Sequence, residues 1–243
     1  MKNVRVYALA ALAAGLVFAG CTLYPPITGS GVLVEGTADF ENFSIVKVEH
    51  GFEVTVIADS SYGLTVTVDD TVLEHVQMEQ NGSELRIGLD PLYSYRNVTL
   101  KAVITMPVMS GVELSGASSL IVVDGAAFPP AGAFAAVVSG ASSLLLPQLT
   151  AASFELELSG ASRLTAGGST GKLVAEVSGA SQADLKALVG GGGDLELSGG
   201  SRTWINLSGL VDAQISGGST LYYAGSPSWG NLMISGGSQL KAY

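Results

Sequence analysis

The sequence predicts an all-β protein, a parallel β-helix (β-solenoid) with about 20 residues per coil. Three observations carry that prediction. First, Ser-Gly-(Ala or Gly)-Ser recurs seven times, starting at Ser115, Ser139, Ser159, Ser178, Ser198, Ser216 and Ser235. Second, the residues one and three places before each copy are always apolar, from Leu114 and Val112 to Ile234 and Leu232, and that spacing of two puts them on one face of a strand. Third, the copies are 24, 20, 19, 20, 18 and 19 residues apart, too close for propeller blades of roughly 40 residues but right for stacked solenoid coils.

Taken from the amino terminus, residues 1–20 read as an export signal. Lys2 and Arg5 precede an uncharged, largely apolar stretch from Val6 to Phe18, which is shorter than the roughly 20 apolar residues that span a bilayer. Phe18-Ala19-Gly20-Cys21 resembles the processing box of bacterial lipoproteins, with Phe18 where that pattern usually has Leu. The resemblance implies lipid attachment at Cys21, the only cysteine in the chain. The protein would then meet the membrane through N-terminal acyl chains. The alternative is an ordinary secretory signal with a chance cysteine. Thr22 follows Cys21, so the Asp that would suggest retention at an inner membrane is absent. The expected location is the bacterial cell envelope, at the outer membrane or cell surface. Residues 21–30, containing Pro25-Pro26, read as a short stiff tether.

Residues 31–110 form an N-terminal β region without a Ser-Gly-Ala-Ser copy. Stretches 43–48, 52–57, 64–68, 85–89 and 98–104 broadly alternate apolar and polar positions. They fit either a sandwich-like cap or the irregular first coils of the solenoid, and the second is favoured because no linker separates them from the first motif. Residues 111–243 are the solenoid with seven repeats. Each motif glycine suits a bend where a side chain would clash with neighbouring coils. The fifth residue after the first serine is mostly apolar, from Leu120 to Leu240, and predicts a second inward-facing strand.

The recurrent Ser-Gly-Ala-Ser strands resemble the auto-transporter adhesin head GIN domain family over about residues 38–230. Residues 43–46, Gly51 to Val56, Asp69-Asp70, the Asn81-Gly82 turn before 85–87, and Tyr223-Ala224-Gly225-Ser226-Pro227 extend the likeness. The chain departs from the pattern by carrying the copies at Ser216 and Ser235 around and beyond that ending. The resemblance implies a parallel β-helix on secreted or surface-attached bacterial proteins, with adhesion as an analogy. The expected function is an exported, lipid-anchored surface binding or structural module of the envelope. The alternative is a carbohydrate-active β-helix enzyme, a lyase or hydrolase.

The formal net charge of −10 excludes ready electrostatic binding to nucleic acid. Gly167-Gly168-Ser169-Thr170-Gly171 matches the nucleophile-elbow pattern, but no histidine follows His75, so it reads as a turn between coils; so does Gly190 to Gly193. His50 and His75 lack partners at zinc-ligand spacing and read as surface residues at strand ends. No catalytic residue, metal or cofactor is expected. Glu157, Glu176 and Glu196 form a predicted outward column that reads as a solvated row, with calcium as the competing occupant. Ser118, Ser142, Ser162, Ser181, Ser201, Ser219 and Ser238 are expected to form a structural hydroxyl ladder at the bends; the competing reading is a hydroxyl array that contacts glycans. A glycan or envelope protein, and a second copy of the chain pairing through the last coil edge, are the expected partners.

Overall fold

The computed structural model describes residues 25–123, 128 and 130–243. The export signal, Cys21 and residues 22–24 of the tether lie outside the described residues. Ile27–Thr28, assigned to the tether by sequence, form a strand paired in parallel with Tyr95–Arg96.

The rest is a β-solenoid. In each coil one strand runs up to the motif and a second runs away from it, and both pair in parallel with their counterparts in the adjacent coils. The first column stacks Glu84–Leu89, Ile45–Val48, Gly111–Leu114 and Ala131–Val138. It continues through residues 151–158 and 172–177, then Gly193–Leu197, Leu210–Ile215 and Ser228–Ile234. The second column stacks Leu100–Met106, Glu53–Ala58, Ser119–Val122, residues 143–146 and 163–165, and then Gln182–Gly190, Arg202–Leu207, Thr220–Gly225 and Gln239–Ala242.

The period-two pattern places the aliphatic columns inside. Leu114, Val138, Leu158, Val177 and Leu197 are fully buried, as are Leu120 and Leu221, and burying each such side chain contributes about 1.5–3 kcal/mol. In the regular coils the left-handed corner position is glycine. Gly179 has φ +69°, and a Cβ added there would lie 2.5 Å from the Gly160 carbonyl oxygen of the coil before it; left-handed backbone and close approach of the neighbouring coil both exclude a side chain.

Past the second strand the chain makes a third, shorter strip. Leu149–Ala151, residues 168–170 and residues 188–190 align after register shifts. The Gly167 to Gly171 segment is therefore part of a bulged strand and not a turn: Gly168 (φ +110°) must come so close to Leu149 that an added Cβ would meet its carbonyl oxygen at 2.1 Å.

Residues 31–110 pack into the same apolar core as the coils, but the order of coils is not the order of the chain. The coil containing Ile45–Val48 and Glu53–Ala58 sits between the coil of residues 84–106 and that of residues 111–122. In this first coil Glu49-His50-Gly51-Phe52 occupies the corner: His50 (φ +64°) stands where Gly116 (φ +64°) does, and buried Phe52 replaces the motif serine. Antiparallel strands close this end. Gly63–Asp69 pair with Leu100–Met106, Leu33–Thr37 with Gly63–Asp69, and Val76–Asn81 with Glu84–Leu89. Asp69 pins the closure, accepting hydrogen bonds from the backbone N–H of Gly31 (2.6 Å) and Thr99 (2.7 Å). His75 is half-buried rather than at the surface, because its ring packs on Tyr93 with centroids 4.5 Å apart.

Candidate interaction faces

The stack brings the predicted serines into one buried line. Ser118, Ser142, Ser162, Ser181, Ser201 and Ser219 are at most 1% exposed, and Ser238 is half-buried. Their hydrogen bonds are uneven. Ser118 Oγ donates to the Ser115 carbonyl (2.7 Å) and accepts from Gly51 N–H (3.1 Å). Ser201 Oγ bonds the Val177 carbonyl (3.1 Å) and Ser219 Oγ (3.2 Å), and Ser238 Oγ accepts from the N–H groups of Gly218 and Ser219. Between these, the hydroxyls of Ser142, Ser162 and Ser181 have no hydrogen-bond partner among the described residues. Neighbouring coils are about 4.8 Å apart, too far for one hydroxyl to reach the next without leaning. Buried in the corner, these serines cannot present a hydroxyl array to an outside ligand.

Two outward faces flank the corner. On the face before the motif, Glu157, Glu176 and Glu196 are in register on successive coils, and Glu155, Asp194 and Asp212 occupy the same face two residues earlier in their strands. At the closed end, cations offset the acids: Arg86 Nη2 lies 2.7 Å from Glu49, and Lys47 Nζ 2.6 Å from Glu113. The hydrogen bond to Glu113 raises the Lys47 pKa above its ordinary value. Further along, Lys172 bonds Asp194 at 2.6 Å, and Glu176, Asp194, Glu196, Asp212, Gln214 and Asn231 border an open depression. Among the described residues no three His, Cys, Asp or Glu converge closely enough to hold a metal ion.

The face after the motif carries the opposite charge. Arg163, Gln182, Arg202, Thr220 and Gln239 are in register in one outward column, and Thr165, Asp184, Trp204, Tyr222 and Lys241 in the next. Trp204 and Tyr222 stack at 4.9 Å with planes 6° apart. Lys186 Nζ, from the coil before, lies 5.3 Å from the Trp204 ring centre, and Lys241 Nζ, from the coil after, 5.9 Å from that of Tyr222. Beyond residue 142, six of the seven acidic residues lie on the first face and four of the five basic residues on the second. The aromatic pair was readable in the sequence as the sixth position after each first serine.

The family model described as "Putative auto-transporter adhesin, head GIN domain" matches residues 42–227. The chain belongs to this family. Solved structures share its fold. One described as a putative adhesin from Bacteroides fragilis NCTC 9343 aligns with TM-score 0.80 and 16% identity, over 89% of this chain and 100% of that one. Another, described as a putative lipid binding protein from Parabacteroides distasonis ATCC 8503, gives 0.71 and 14%, over 90% and 100%. A putative adhesin from Parabacteroides merdae ATCC 43184 gives 0.70 and 14%, over 89% and 98%. No curated protein sequence matches the chain. Membership of this family places it with adhesin-like proteins of the cell surface or envelope.

Proposed function

We propose that the protein is an exported bacterial envelope lipoprotein, acylated at Cys21, whose solenoid serves as an adhesin-like binding module. The observation that carries this reading is the pair of long, flat, oppositely charged faces that a head GIN solenoid holds rigid by its continuous core. A stack of parallel strands suits recognition of an extended partner, because its groups repeat at the coil spacing of about 4.8 Å. The basic front and apolar stretch before Cys21 support export, and the Ala19-Gly20-Cys21 sequence supports acylation. Several acyl chains hold a protein on a bilayer at about 0.8 kcal/mol per buried methylene.

The test is binding of the full chain to an array of glycans and envelope components, with product formation followed in parallel. Saturable binding without turnover is the expected result. Turnover of a glycan would replace this reading with the carbohydrate-active one, centred on the Glu176 and Glu196 depression. Metabolic acyl labelling that is lost in Cys21→Ser tests the anchor separately.

A further inference from the structure

The geometry points to the face bearing Arg163, Arg202, Trp204 and Tyr222 as the binding surface for a linear acidic polysaccharide laid along the solenoid axis. This rests on the binding-module reading and names its ligand class. Arg163 and Arg202 occupy the same column two coils apart, with Gln182 between them, a separation of roughly 9.6 Å at two coil spacings. Both are exposed, and among the described residues neither side chain makes an ion pair or a hydrogen bond. Two unpaired guanidinium groups on a protein of net charge −10 are poised for carboxylates, which their planar fork engages bidentately. Gln182, Thr220 and Gln239 continue the column with amide and hydroxyl groups suited to sugar hydroxyls.

The ring stack decides against nucleic acid. Trp204 and Tyr222 cover one another's faces, and Lys186 and Lys241 flank the outer ones, so no base finds the open aromatic platform that single-strand binding uses. Duplex DNA, with one charge per about 1.7 Å of helix axis, is also far denser in charge than the arginine column, whose two guanidinium groups recur only every second coil. An acidic glycan carries its charges at the spacing of one or two sugars, comparable with one or two coils. The stacked rings then act as a stiff ridge beside the arginine column.

The experiment measures binding of the full chain to polygalacturonate, to its fully methyl-esterified form and to duplex DNA. The expected result is saturable, salt-sensitive binding to polygalacturonate alone. Arg163→Gln/Arg202→Gln should weaken it at least tenfold, Arg163→Lys/Arg202→Lys should fall between, and Arg96→Gln outside the patch should leave it unchanged, all with native melting temperatures. In a Trp229→Phe background, which leaves Trp204 as the sole tryptophan, polymer binding should shift the emission. Equal binding of the ester, equal binding of DNA, full affinity in the Gln double variant, or no binding to polygalacturonate would each overturn the assignment. The glycan and envelope array tests the broader module reading independently, so failure here leaves that reading to its own result.

Discussion

Trp204 and Tyr222 lie directly across neighbouring coils with their rings 4.9 Å apart and 6° from parallel. The parallel register imposes this geometry: equivalent side chains on successive coils share one direction and one spacing, so two aromatic residues one repeat apart must stack. Such a pair contributes about 0.5–1.5 kcal/mol beyond the area it buries. Trp204→Ala and Tyr222→Ala should each destabilise the solenoid, and the double variant should fall short of their sum by roughly that amount. Urea titration of the four species in a double-mutant cycle gives the coupling; strict additivity would show that the stack does not contribute to stability.

The corner glycines of the inner coils, Gly160 and Gly179, should not accept a side chain. Gly179→Ala combines a left-handed backbone with a Cβ placed 2.5 Å from the Gly160 carbonyl. The conformation alone costs roughly 1–2 kcal/mol, and the clash adds to it. Gly132, with open space around it and no positive φ, is the control. Gly132→Ala should melt within a degree or two of the parent protein, while Gly179→Ala melts far lower.

The buried serines should divide into two classes. Ser162→Ala removes a hydroxyl that has no partner, and is expected to be neutral or stabilising. Ser201→Ala breaks bonds to Val177 and Ser219 and should cost about 1 kcal/mol. Melts of the two variants side by side are sufficient. A collapse of Ser162→Ala would mean that its hydroxyl is bound in the folded protein.

The regular coils were legible because two signals coincide at every repeat: period-two burial and a glycine at fixed offset. Val177 and Gly179 can be read off the alignment without coordinates. The third strip was not, because residues 168–170 hold Gly-Ser-Thr, which reads as a turn, and the register shifts around 146–149 and 165–167 break any regular alternation. The first corner was missed for a different reason. His50-Gly51-Phe52 meets the same backbone demand with other residues, Phe52 filling with carbon the place that a serine takes elsewhere. The position of the 45–58 coil between 84–106 and 111–122 depends on long-range pairing, which local alternation does not encode. The charged faces needed two more columns of the same alignment, those of Arg163 and Trp204.

The last coil should behave unlike those before it. Leu232 and Ile234 hold the inward positions that Ala213 and Ile215 hold one coil earlier, yet they are 36% and 44% exposed against 1% for each of the earlier pair. Ile215→Ala should cost about 2–4 kcal/mol, and Ile234→Ala well under half of that. Among the described residues Ser228–Ile234 and Gln239–Ala242 pair on one side only, and open strand edges recruit others. Antiparallel strands close the opposite end of the stack, so two copies meeting edge to edge would form a closed dimer rather than a filament. Light scattering of the full chain across concentration should show reversible dimerisation that Ile234→Lys suppresses; a strict monomer at high concentration counts against it.

Acid should loosen the closed end first. Hydrogen bonds from the backbone of Thr99, and then of Gly31, hold the Asp69 carboxyl below the usual carboxylate range. With a depressed folded pKa, the unfolded chain takes up the proton more readily than the native one. The stabilisation from Asp69 is therefore fully present above the unfolded value of about 3.9 and is lost as pH falls through the folded value. Asp69→Asn should lower the melting temperature at about pH 7 and flatten the acid limb of the curve, so that the gap to the parent protein narrows toward about pH 2. Hydrogen exchange should show residues 29–31 and 97–99 losing protection before the inner coils as pH falls. Equal loss in all coils would mean that Asp69 does not control the closure.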